Sequence, residues 1–123
     1  MSFEKGRIKE LADQFEDLKE SLMNIYDNIK DLMIPFFTRA YYKKEMQGSY
    51  SIKYVLPALF PNEPSLDYKN LDVVHKGDEA SAAFLSLVGK TKEEQEHIRK
   101  CLLEYCKLDT LAMVKIWKKL KEI

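Results

Sequence analysis

The apolar residues Ile8, Leu11, Phe15, Leu18, Leu22, Ile25, Ile29 and Leu32 follow one another in strictly alternating steps of three and four. That spacing keeps them on one helical stripe, whereas a strand would alternate by two. The first thirty residues are therefore expected to be helical. Ser2 suits the N-cap, Glu4 suits the first turn, and Gly6 weakens that turn by about 1 kcal/mol relative to Ala. The same heptads would also serve a coiled coil, although the stripe is shorter than four full repeats. Pro35 lacks a backbone donor and biases Ile34 away from helix, so the helix should end or kink between Lys30 and Pro35.

Further on, Phe36, Phe37, Tyr41, Tyr42 and Tyr50 are mixed with Arg39, Lys43 and Lys44, and Gly48-Ser49 reads as a turn. Aromatic and basic residues interleaved in this way can stack bases and hold phosphates. They also suit an aromatic lid on a core, with solvated lysines around it. Ser51 is placed to cap a short helix through Phe60 that Pro57 interrupts, and 61–64 should be a loop. Residues 60–78 give no firm assignment, with a helical turn and then an extended piece expected over Leu66 to Val74. Glu79 to Val88 reads as a helix that Gly89 terminates. Thr91 and Glu94 form a capping-box pattern opening a helix to about Lys107, and Asp109 to Ile123 reads as a last helix that Asp109 is suited to cap. The expected fold class is mainly α, a small helical domain or helical fragment, with residues 1–123 as a single domain.

Twenty basic and twenty acidic residues cancel, so no global field draws the chain to nucleic acid or to an anionic membrane, and any such contact must be local. The longest apolar runs, such as Leu32 to Phe37, fall far short of the roughly 20 residues of a membrane span. The charged N-terminal residues lack an apolar signal core, so a cytoplasmic location without membrane contact is expected. Cys101 and Cys106 lie about 140° apart at about 100° per residue and should not pair. They read as half-buried structural thiols, because His97 alone does not complete a metal site with them, and His75 and His97 read as ordinary surface or boundary residues.

Three patterns bear on chemistry. Tyr105 and Asp109 stand one helical turn apart on one face. A metal-dependent nuclease needs carboxylates holding divalent ions about 4 Å apart and a Tyr or His to orient the attacking water. The spacing also arises in any helix with the Tyr in the core. Glu4 follows Phe3 at a helix start, and Asp31 stands where the first helical region gives out, each also explicable as an ordinary helix-end acid. No phosphate-cradling glycine loop, zinc-type Cys/His spacing or nucleophile with a nearby base is evident.

The order of segments Ser-Phe-Glu-Lys-x-Arg, Lys-Asp-Leu-Met-x-Pro-Phe, Gly-Ser-Tyr-Ser-Ile-Lys-Tyr-Val-Leu-Pro, Asp-Glu-Ala-Ser and Leu-Leu-Glu-Tyr-Cys-Lys-Leu-Asp-Thr-Leu-Ala-Met resembles a bacterial family of uncharacterised function. The C-terminal domain of that family is similar to DnaQ-like (DEDD) exonucleases of RNase H-like fold. The resemblance implies that Glu4 and Asp109 are ligands of Mg²⁺ or Mn²⁺, that Tyr105 and Asp109 are catalytic with Tyr105 orienting water, and that Asp31 plays a supporting role. Lys53, in Ser-Ile-Lys, would contact a nucleic-acid phosphate. The Asp-x-Glu of the family's first motif is not in this sequence, and neither is the sheet that carries it. The resemblance therefore implies the C-terminal helical part of an α/β exonuclease-like domain, inactive by itself in 3′–5′ phosphodiester hydrolysis. It would be completed by an N-terminal segment or by self-association. Whether the chain is itself an enzyme stays open at this point. A non-catalytic helical module that dimerises through the Ile8 to Leu32 stripe is the alternative, and it needs no cofactor.

Overall fold

In the computed structural model, residues 2–123 are described, without the Ser2 side chain, so the capping role expected of Ser2 lies outside the described residues. Among them the regular structure is entirely helical, joined by 3-10 turns. The chain divides into two compact units, one ending at Leu32 and the other spanning Met33–Ile123.

In the first unit the stripe does not form one helix. It is divided into α1 (Ser2–Gln14) and α2 (Lys19–Asn28) by Phe15, at φ −119° and ψ 84°, and a 3-10 turn at Glu16–Leu18. The two helices pack against each other as a hairpin, with Lys5 Nζ 4.7 Å from the Tyr26 ring centroid. Ala12, 0 % exposed, is small enough to sit in the interior of this unit. Periodicity cannot separate one long helix from two short ones that share a stripe. The usable signal was the acidic run Glu16, Asp17 and Glu20, which falls where the N-terminal dipole of α2 favours negative charge.

The second unit opens with α3 (Ile34–Phe37). Pro35 starts this helix instead of breaking one, and Ile34 is helical despite preceding it. The Met33 carbonyl accepts the Phe36 and Phe37 N–H groups, so the donor that Pro35 lacks falls in a first turn that would not use it. In α4 (Ile52–Leu59) Pro57 is accommodated inside the helix, contrary to the expected interruption. Ser51 stands at the N-cap but its side chain makes no capping bond. Residues 60–78 form two 3-10 turns, Pro64–Leu66 and Tyr68–Asn70, before α5 (Gly77–Leu85). Gly89, at φ +82°, follows in the left-handed conformation that a β-carbon would strain.

The last element, α6 (Lys92–Lys121), is one uninterrupted helix, correcting the expected division near Lys107. The Thr91 capping box starts it with both reciprocal bonds in place. Neither Gly nor Pro follows to stop it. Asp109 does not act as a cap, because its carboxylate is engaged by a side chain from outside the helix. Cys101, Tyr105, Leu108, Ala112 and Ile116 recur at steps of three and four and are the buried residues of α6. With Val55, Leu56, Leu59, Leu66, Tyr68 and Val74 they make the core of this unit.

Candidate functional site

Of the residues singled out in the sequence, Glu4 and Asp31 belong to the first unit, and Lys53, Tyr105 and Asp109 to the second. Glu4 lies in the first turn of α1, where backbone hydrogen bonding foremost lowers its carboxyl from the usual value. Lys53 is half-buried near the start of α4.

Tyr105 and Asp109 come together with a third residue that the spacing could not show. The 3-10 turn at Tyr68–Asn70 puts the Tyr68 hydroxyl 2.5 Å from Asp109 Oδ1, to which it donates, and the Tyr68 and Tyr105 rings meet edge-on with centroids 6.0 Å apart. Burial foremost, then the hydrogen bond to Asp109 and its charge, push the Tyr68 phenol well above its ordinary range. Burial and the same carboxylate raise Tyr105. Both phenols are thus held protonated well into the alkaline range, and Tyr68 is the donor to Asp109. Tyr105 is itself buried in the core, as the plainer reading of its spacing had it.

The aromatic and basic segment divides between its two readings. Phe36 and Met46 are buried, whereas Phe37 and Tyr50 stack edge-on at 5.2 Å with each residue about half exposed, and Arg39 and Lys44 are exposed as well.

A second cluster was missed. Asp72 Oδ2 lies 3.3 Å from His97 Nε2, which is 3.8 Å from Cys101 Sγ. His97 and Cys101 stand one turn apart on α6, a signal present in the sequence, whereas Asp72 comes from the stretch whose fold the sequence left open. Cys101 is buried but Cys106 is exposed, so the expectation of two half-buried thiols is corrected. Burial foremost, then the charges of Asp72 and Glu104, raise the Cys101 thiol against a smaller opposing effect of Lys100. Among the described residues this is the one place where three or more His, Cys, Asp or Glu ligand atoms converge, and Asp109 is not part of it.

A shallow cleft of about 320 Å³ lies between Phe60 and the last turns of α6. Its Lys115 is already paired with Glu63 at 2.8 Å and its Lys119 with Glu122 at 3.5 Å. No described helix is long and apolar enough to cross a membrane.

Residues 1–51 match the family model described as Domain of unknown function (DUF2779). The DUF2779 match takes in the first unit, with Glu4 and Asp31, and runs on to Ser51. It supports the coarser expectation, a family of uncharacterised function. Lys53, Tyr105 and Asp109 lie beyond the matched residues. No curated protein and no solved structure matches the chain.

Proposed function

We propose that this chain is part of a metal-dependent, 3′–5′ exonuclease-like domain acting on nucleic acid, and that it is inactive alone. The observation that carries the reading is the Asp109 carboxylate, held by the Tyr68 hydroxyl one turn from Tyr105. A carboxylate fixed by a neutral donor is held in a defined direction, which suits a ligand for a hard cation. The exposed Phe37–Tyr50 pair, with Arg39 and Lys44 in the same segment, adds a surface suited to stacking and phosphate contact. The acids of the second unit do not fit a pair of metal ions by themselves, because among the described residues Asp109 belongs to no group of three such ligands. The remaining ligands would be carboxylates supplied from outside this unit.

Calorimetric titration of Mn²⁺ into the chain and into a Glu4→Gln/Asp109→Asn double variant tests this. Binding that the double variant loses supports the reading. Binding that the variant retains overturns it, because the ion then sits on other residues, whereas absent binding means that the chain holds no ion without the carboxylates supplied from elsewhere.

The second reading, a non-catalytic helical module that self-associates, is favoured by Leu11, Phe15, Leu18 and Ile25, which stay exposed on the hairpin. Sedimentation equilibrium should then show a dimer that Leu18→Glu dissociates, and a monomer across the concentration range excludes it.

A further inference from the structure

The geometry points to a binding site for one zinc ion formed by Asp72, His97 and Cys101. The three side chains offer one oxygen, one nitrogen and one sulfur, all within 4.8 Å of one another. A tetrahedral zinc ion with bonds of about 2.0 Å to N and O and about 2.3 Å to S has an N···O edge of about 3.3 Å and an N···S edge of about 3.6 Å. The corresponding separations are 3.3 Å and 3.8 Å, within a few tenths of an ångström of those edges, and the O···S separation, within 4.8 Å, closes to the roughly 3.6 Å of a tetrahedral site by rotation of the exposed Asp72 side chain.

The donor set selects the metal. Thiolate and imidazole disfavour the hard cations Mg²⁺ and Ca²⁺ and suit zinc, which imposes no geometric preference of its own. On binding, the Cys101 thiol gives its proton to solvent and the imidazole binds as its neutral form. Cys101 is buried, while the side chains of Asp72 and His97 are more than half exposed, so the fourth position opens to water.

The backbone at Asp72 is held in an unusual way. The Val74 N–H donates to the Asp72 carbonyl at 2.6 Å, closing a γ-turn around Val73, whose φ is +58°. A β-branched residue adopts that conformation only when its surroundings enforce it. Here the turn sends Val74 into the core and leaves Asp72 against α6. A metal bridging Asp72 to His97 and Cys101 would fasten this turn to α6, tying the least regular part of the unit to its longest helix.

The test uses a Cys106→Ala background, which removes the exposed thiol. Calorimetry with Zn²⁺ should show one ion per chain, bound at least tenfold more weakly by His97→Gln and by Asp72→Asn. Both of those residues are exposed, so neither variant disturbs the core. Co²⁺ should give a thiolate-to-metal charge-transfer band that Cys101→Ser abolishes. Glu4→Gln/Asp109→Asn should bind Zn²⁺ like the parent, which keeps this result separate from the Mn²⁺ titration. No zinc binding, affinity unchanged in His97→Gln, or Co²⁺ binding without the thiolate band overturns the proposal and leaves only an Asp72–His97 ion pair beside a buried thiol.

Discussion

Replacing Tyr68 with Phe removes one hydroxyl from a residue that is 2 % exposed, and with it the donor to Asp109. The ring keeps its volume, so packing against Tyr105 should survive and the change isolates the hydrogen bond. Bonds to charged partners contribute about 1.5–3 kcal/mol, so the melting temperature should fall by roughly 8–16 °C for a unit of this size. A double-mutant cycle of Tyr68→Phe with Asp109→Ala, measured by urea denaturation, should return a coupling of about 1.5–3 kcal/mol. The pH dependence provides a second reading of the same bond. Tyr68 has its folded-state value raised above the ordinary 10.0, chiefly by burial. Its contribution is thus fully present below about pH 10 and is lost as pH rises from there towards the folded-state value. Tyr68→Phe should flatten that alkaline limb. A coupling below about 0.5 kcal/mol, together with an unchanged alkaline limb, would refute the assignment of Tyr68 as the group that fixes Asp109.

Thr91→Ala should cost about 1 kcal/mol and fray the start of α6, seen as faster amide exchange there. Glu94 has its carboxyl lowered, first by the Thr91 backbone N–H, so its share of the cap is present above the ordinary 4.5 and lost as pH falls through the lower folded value; fraying of this end should increase over that acid range. Ala12→Leu should cost about 1–3 kcal/mol by overfilling the hairpin, and an unchanged urea midpoint would show that α1 and α2 do not pack there. Val73→Gly relieves about 1–2 kcal/mol of left-handed strain against an entropic loss of about 0.5–1 kcal/mol, so its melting temperature should match or exceed the parent's, and a clear drop would refute the strain.

Legibility in the sequence followed the range of the interactions. The Thr91–Glu94 box depends on residues three apart, and both of its bonds are present as expected. The mainly α class was legible from the apolar stripe, but the stripe's fold at Phe15 was not, because a hairpin and a straight helix share one pattern. The continuity of α6 was hidden by Asp109. Its preference for caps is a local property, and Tyr68, forty-one residues away, overrides it. The same reason concealed the Asp72 cluster. His97 and Cys101 were adjacent on a legible helix, but their third partner arrives through a γ-turn at Val73 that no propensity favours.

The continuity of α6 has a consequence for how this region tolerates insertions and deletions. Cys101 and Asp109 are eight residues apart on the same unbroken helix, or about 12 Å along its axis. One residue inserted between them would turn everything downstream by about 100° and carry Asp109 away from Tyr68, while His97 and Cys101 kept their register. Deletion would do the reverse rotation with the same result. Length variation among homologous chains should therefore collect before Thr91 or after Ile116, and the span between should behave as a fixed-length ruler.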